Sequence, residues 1–232
     1  MTVPFARAWW SFELGDLRPC EDDYDPFPIE SLPPIDTSLL TGDYAWLVGD
    51  EDDEDDEDDQ DESGDDDDIA TLMGTSPTAK KMAKLVKGLA KVKVTLPPAF
   101  VRFMEDANLQ GAVPSCTGCE WELGNLVESP FEDDAWMVRF LRDPEDALHW
   151  FLYLTPAGSY VVCSSAKLDD PKLDEPPAAL QEKTWWCAPD FESFVYRFWL
   201  ENVLWEQLED KGMLTPTEKK YLKHYADAAK KK

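Results

Sequence analysis

The sequence predicts an α+β fold in which an antiparallel sheet of at least three strands is flanked by helices and closed by one long buried helix. Three observations support this. Strand-like runs at residues 136–141, 149–154 and 160–163 are joined by short turn-forming connectors, which favours an antiparallel meander. A helical pattern precedes these runs at residues 78–92. A long, mostly apolar helical pattern follows them from Asp190.

The helical pattern at residues 78–92 has two faces. One is an apolar stripe at helical spacing: Met82, Leu85, Val86 and Leu89. The other is a basic stripe: Lys80, Lys84, Lys87 and Lys91. Basic amphipathic helices occur on membranes and in the targets of calmodulin-like proteins. An ordinary surface helix with a solvated lysine face has the same pattern, and we favour that interpretation.

Three later helices have identifiable starts. Pro98 suits the first turn of a helix that begins after Leu96-Pro97. The helix after Asp190 is apolar on most sides, so it should be buried against the sheet. Thr215 and Glu218 have the spacing of a capping box, which predicts the start of the last helix.

The composition divides the chain into four parts. Residues 1–49 are rich in proline and aromatic residues, which predicts an irregular arm whose rings dock on the main domain. Residues 50–68 are an acidic linker. Residues 69–212 should form the α+β domain, and residues 213–232 should form a C-terminal helix with a lysine tail.

The acidic linker is a nearly pure run of carboxylates: of its 19 residues, 16 are Asp or Glu. The run supplies more than half of the net charge of −27. Like charges repel and bury nothing, so we expect a disordered, solvated segment. The charge argues against nucleic acid as a ligand and favours a basic partner protein. The candidate partner-binding residues are Asp52, Asp53, Asp55, Asp56, Asp65, Asp66, Asp67 and Asp68.

Cysteine usage and hydropathy indicate the compartment. The chain has five dispersed cysteines, an odd number that argues against a disulfide scaffold and for a reducing, cytoplasmic setting. Its apolar runs fall short of the roughly 20 residues that cross a bilayer. The first 16 residues lack a basic segment followed by a long apolar stretch, so we expect no secretory signal.

Cys116 and Cys119 form the one motif that is typical of metal or redox chemistry. A zinc site needs about four ligands, and neither a second such pair nor a suitable histidine pair is present. Redox chemistry favours a pair that opens a helix in a βαβ unit, whereas this stretch is rich in turns. His149 lies in a predicted strand, where we expect its ring to be satisfied as that of a sheet residue, and His224 lies among lysines. We therefore predict no enzymatic activity, no cofactor and no metal.

The motifs from Leu96 onward follow an order known from one superfamily. They are Leu96-Pro97 with residues 100–104, residues 108–111, 121–124, 136–143 and 150–154, Gly158 before Val161 and Val162, and residues 190–194. This order resembles the SUKH superfamily, which includes bacterial toxin-immunity proteins and fungal cell-wall regulators. The resemblance covers about residues 80–208, and residues 1–68 lie outside the family pattern.

The resemblance implies a compact α+β domain that binds other proteins without catalysing a reaction. It carries over no catalytic residues. The expected function is that of an immunity protein or regulator that sequesters or scaffolds a partner protein. The alternative is that the acidic run is itself the functional element. It would then mimic a polyanion or chaperone a basic protein, with the folded domain as its carrier.

Overall fold

The computed structural model of the protein describes residues 4–48, 77–92 and 94–229. The acidic run, with its eight candidate partner-binding aspartates and its predicted disorder, lies outside these ranges. Within them the chain forms seven α-helices and an eight-stranded mixed sheet, which confirms the predicted α+β class.

The strands are β1 (Ala6–Ser11), β2 (Asp25–Pro28), β3 (Glu120–Trp121), β4 (Leu126–Glu128), β5 (Trp136–Arg142), β6 (His149–Thr155), β7 (Gly158–Ser164) and β8 (Thr184–Ala188). The helices are α1 (Ala45–Val48), α2 (Pro77–Val92), α3 (Pro98–Glu105), α4 (Ala107–Gly111), α5 (Pro177–Glu182), α6 (Phe191–Glu209) and α7 (Pro216–Ala229). Two 3₁₀ turns, Ile29–Ser31 and Thr37–Leu39, lie in the arm.

The centre of the sheet is the predicted antiparallel meander of β5, β6 and β7. Tyr153 on β6 lies opposite Met137 on β5 and Tyr160 on β7. The β6–β7 hairpin turns at Gly158, whose φ of +140° favours glycine. Beyond the three predicted strands, β8 pairs antiparallel with β7. The strand order is β2-β1-β8-β7-β6-β5-β3, and β4 also pairs with β5.

The N-terminal arm contributes two strands to this sheet, which corrects the expectation of an irregular segment. β1 pairs in parallel with β8, so the sheet is mixed, and antiparallel with β2. The rings of the arm dock as predicted, and Trp9 is 2% exposed. Pro26 and Pro28 lie in the edge strand β2. Because proline has no N–H, this edge is a poor template for pairing with another chain.

Three helices cover one face of the sheet and form the larger core. Their buried side chains are Met82, Leu85 and Leu89 from α2, Phe100 and Phe103 from α3, and Phe191, Phe194 and Phe198 from α6. The predicted helix at residues 78–92 is present as α2. However, Val86 is 50% exposed and lies outside the apolar stripe that docks.

The other face of the sheet is covered by α5 and neighbouring loops. Its core includes Phe151 and Tyr153 from β6, Tyr160 from β7 and Leu180 from α5. Both faces of the central strands are therefore buried, which explains why β6 reads as a continuous apolar run and not as an alternating pattern.

Side-chain caps start the last two helices, and the one at Thr215 was predicted. Asp190 accepts a hydrogen bond at 2.7 Å from the Ser193 amide at the start of α6. The amide of Thr215 donates to Glu218 Oε2 at 2.7 Å, and the Glu218 amide donates to Thr215 Oγ1 at 3.3 Å. This reciprocal pair is the capping box expected for α7.

None of the helices in the described ranges combines the length and the apolar character needed to span a membrane.

Candidate functional site

A groove of about 920 Å³ lies between the N-terminal arm and the turn that joins β5 to β6. The arm lines it chiefly through residues 20–24, and the turn lines it through residues 143–145. Trp10 of β1 and Trp205 of α6 contribute indole rings, and Cys116 lies in the loop between α4 and β3. The groove therefore combines segments that are distant in sequence.

A tight turn in the arm brings residues 20–24 back beside β1. The amide of Leu14 donates to the carbonyl of Arg18 at 2.9 Å, and Gly15 has a φ of +54° that favours glycine. Beyond the turn, the Cys20 thiol donates to the Ser11 carbonyl at 3.7 Å. These contacts place the arm along one wall of the groove.

Asp143 shapes the β5–β6 turn and links it to the arm. Its Oδ1 accepts hydrogen bonds from the amides of Glu145 at 2.9 Å and Ala147 at 3.3 Å. Its Oδ2 accepts one from the Tyr24 hydroxyl at 2.9 Å. That hydroxyl also lies 3.4 Å from the Cys119 sulfur. Burial raises the pKa of Tyr24, so the phenol stays protonated and donates.

The groove is strongly acidic. Five exposed carboxylates line it, and we call them the groove carboxylates: Glu13, Glu21, Asp22, Asp23 and Glu145. Among the described residues none of them makes an ion pair, and none of the lining residues is lysine or arginine. In the described part of the chain, the buried indole nitrogen of Trp10 also has no hydrogen-bond partner. A concave surface lined by one sign of charge attracts ligands of the opposite sign.

The Cys116–Cys119 motif forms a loop at the groove, not the start of a helix. The Cys116 amide donates to Asn202 Oδ1 on α6 at 2.8 Å, and the Cys119 amide donates to Ser115 Oγ at 2.9 Å. Gly118, with a φ of +71°, allows the loop to turn. The backbone of the motif therefore anchors this loop to α6.

The thiols around the groove are poorly suited to chemistry. Burial raises the pKa of Cys20 to about 11 and that of Cys116 to about 12, and it also raises the pKa of Cys119. A thiol protonated at neutral pH is a weak nucleophile and a weak metal ligand. Within residues 4–48, 77–92 and 94–229, no group of three or more His, Cys, Asp or Glu side chains has a metal-binding arrangement.

The two histidines lie outside the groove. His149 is buried, and burial lowers its pKa. Its Nδ1 has no hydrogen-bond partner in the described part of the chain, so the expectation of a satisfied sheet histidine is wrong for this nitrogen. His224 is partly exposed, and its Nε2 lies 3.1 Å from the Ser31 carbonyl oxygen.

A second charged site lies beneath the arm and is fully buried. Glu201 of α6, 1% exposed, pairs with Arg18: Nη1 donates to Oε1 at 2.7 Å and Nη2 donates to Oε2 at 3.0 Å. Further donors to the carboxylate are Ser11 Oγ at 2.6 Å, Trp9 Nε1 at 2.8 Å and the Tyr221 hydroxyl at 2.6 Å. We call these five residues the Arg18 site.

The Arg18 site is electrostatically balanced. Burial acts to raise the pKa of Glu201, but the charge and hydrogen bonds of Arg18, together with the charge of Arg197 and the Ser11 hydrogen bond, outweigh it and lower this pKa to about 2. The guanidinium carbon also lies 4.6 Å from the ring centroid of Phe27 and 5.6 Å from that of Tyr225. The site joins the arm, α6 and α7, so we assign it a structural role.

Neither site was predicted from the sequence. The groove carboxylates come from separate segments, and in a chain with 49 acidic residues no single Asp or Glu is conspicuous. Glu201 did carry a signal, because it interrupts the apolar pattern of α6 at a position that faces inward.

Comparison of the chain with family models, with curated proteins and with solved structures found no match.

Proposed function

We propose that this chain is a non-catalytic protein-binding module that captures a basic partner protein in the groove. The observation that carries the proposal is the set of groove carboxylates, which are exposed, without ion pairs in the described part of the chain, and set beside aromatic walls. Aromatic residues provide contact area at interfaces, and complementary charge speeds association. The groove volume of about 920 Å³ suits a segment of a partner better than a whole folded surface.

The chemistry of the groove supports binding over catalysis. The pKa values of its cysteines are raised and both histidines lie elsewhere, so the lining lacks an activated thiol and a histidine base. We therefore expect no enzymatic activity and no cofactor. We expect the module to act in the cytoplasm on a protein ligand, not on nucleic acid, whose phosphates the groove would repel.

The SUKH resemblance favours the same class of function. That superfamily includes toxin-immunity proteins and cell-wall regulators, and it implies a domain that sequesters a toxin or scaffolds partner proteins. We propose one of these two roles for this chain, as an immunity protein or as a regulator. A basic toxin or regulatory protein would be the natural partner on grounds of charge.

Matched charge variants test the proposal. The groove variant is Glu21→Gln with Asp22→Asn and Asp23→Asn. The control removes three exposed carboxylates from another acidic cavity: Glu128→Gln, Asp133→Asn and Asp134→Asn. A basic protein that co-purifies with the wild type should be retained by the control and lost from the groove variant. Its association should also slow as salt rises. Equal retention by both variants would contradict the proposal.

The alternative function is favoured by the 16 carboxylates of residues 50–68, which form the densest charge in the chain. If that run is the functional element, its deletion should abolish capture of the basic partner while the groove variant retains it. Under the groove proposal, the groove variant should lose the partner, whereas the deletion of residues 50–68 should retain it and mainly reduce the association rate.

A further inference from the structure

Two sites within this chain, one buried and one at the surface, show how the fold holds a guanidinium group. The guanidinium of Arg18 lies against the ring of Phe27, and Glu201 accepts hydrogen bonds from both of its terminal nitrogens. At the surface, Arg7 lies 4.5 Å from the ring centroid of Trp186 and pairs with Glu30 at 3.0 Å. Each site combines an aromatic face with a carboxylate.

The groove contains the same groups without a guanidinium. Trp10, Trp205 and Tyr24 supply aromatic rings, and the groove carboxylates supply acceptors. No arginine or lysine is among its lining residues, all of which are described. In composition, the groove therefore resembles the surroundings of Arg7 and Arg18.

We propose that the groove recognises an arginine side chain carried on an exposed segment of the partner; this rests on the proposed function. Arginine fits these groups better than lysine because its planar guanidinium stacks on aromatic rings and binds carboxylates through two parallel hydrogen bonds. A lysine ammonium is a point charge that would gain from the carboxylates but less from the rings. The residue of the basic partner that contacts the groove is thus an arginine.

Three peptides of the same length test this inference, and they differ only at three positions separated by glycine and serine. One carries arginine, one lysine, and one the uncharged analogue citrulline. Binding to the full chain is measured by isothermal titration calorimetry. The arginine peptide should bind about tenfold more tightly than the lysine peptide, and the citrulline peptide should show no binding.

Variants locate the effect. The groove variant should weaken arginine-peptide binding at least about tenfold, because three acceptors lose their charge, while the control variant stays within about twofold. Trp205→Leu should reduce the preference for arginine over lysine, and Trp205→Phe should restore most of it, because phenylalanine keeps an aromatic face.

The outcomes separate the two proposals. If the lysine peptide binds as tightly as the arginine peptide and both depend on the groove carboxylates, the groove binds basic segments by charge alone and the arginine inference is wrong. If peptide binding is absent, or is equal in the groove variant and the wild type, the groove itself is not the binding site and both proposals fall.

Discussion

The Arg18 site and the groove both contain carboxylates and aromatic rings, but the carboxylate is buried and paired in the first, and the carboxylates are exposed in the second. In the Arg18 site, the Glu201 carboxylate accepts hydrogen bonds from two guanidinium nitrogens and from three further donors. All of these groups are buried. In the groove five carboxylates are exposed, and no ion pair involves them in the described part of the chain. The two regions are neighbours on the same arm, since Ser11 and Arg18 belong to one and Trp10 and Cys20 to the other.

This difference separates stability from recognition. A buried charge is tolerated only when the fold itself supplies its partners, so we expect the Arg18 site to stabilise the assembly of the arm, α6 and α7. Exposed charges of one sign contribute little to folding and repel one another. We propose that their accumulation in a concave, aromatic surface serves to bind a cationic ligand.

The largest expected effect comes from Glu201→Gln. This substitution leaves the Arg18 guanidinium buried beside a neutral amide, so the free energy of unfolding should fall by about 3–5 kcal/mol. Chemical denaturation measures the change. As a control, Arg18→Met combined with Glu201→Gln removes both charges but keeps an amide oxygen that can accept from Trp9, Ser11 or Tyr221, so it should recover part of the loss. A loss below about 1 kcal/mol for Glu201→Gln would mean that water or neighbouring groups compensate the guanidinium.

A related prediction concerns pH. The pKa of Glu201 in the folded state is about 2, below its ordinary value of 4.5. Its contribution to stability is therefore complete above about pH 4.5 and is lost as the pH falls toward 2. The difference in unfolding free energy between wild type and Glu201→Gln should narrow over this window by up to about 3 kcal/mol. A difference that is constant from pH 7 to pH 2.5 would contradict the buried ion pair.

The groove variant should behave in the opposite way to Glu201→Gln. Because its three amides replace exposed, unpaired carboxylates, the free energy of unfolding should change by less than about 0.5 kcal/mol, or rise slightly as repulsion is relieved. Partner affinity should nevertheless fall by about tenfold or more. Marked destabilisation in thermal and chemical denaturation would show that these side chains support the fold.

The smallest effect is expected for Cys116→Ser with Cys119→Ser. The motif contributes its backbone amides to the loop, and serine keeps both, so partner binding should remain within about twofold. Stability should fall by about 1 kcal/mol or less. Stoichiometric zinc in the purified wild type, lost together with binding in the variant, would overturn the non-catalytic, metal-free proposal.

The sequence predicts those parts of the fold that depend on local pattern. The meander, the apolar character of α6 and the capping box at Thr215 follow from short-range periodicity and turn chemistry, and the structure contains all three. The arm strands could not be predicted in this way. β1 is a strand because it pairs with β8, some 180 residues later, and proline-rich flanks obscure it.

The two sites depend even more on tertiary structure. Arg18 and Glu201 are 183 residues apart, and the groove combines the arm, a hairpin turn and α6. Composition correctly indicates surplus acidic charge, but it points to residues 50–68. The density of carboxylates along the chain is visible in a sequence, whereas the convergence in space of carboxylates from separate segments is not.

Nuclear magnetic resonance of the tryptophan indoles tests the central claim most directly. The ten tryptophans report on separate parts of the domain when an arginine peptide is titrated into the full chain. We expect the indole N–H signals of Trp10 and Trp205 to shift with saturation, and those of Trp150 and Trp136, which lie outside the groove, to stay in place. Shifts at Trp136, which lines the control acidic cavity, with none at Trp10 and Trp205, would contradict the account.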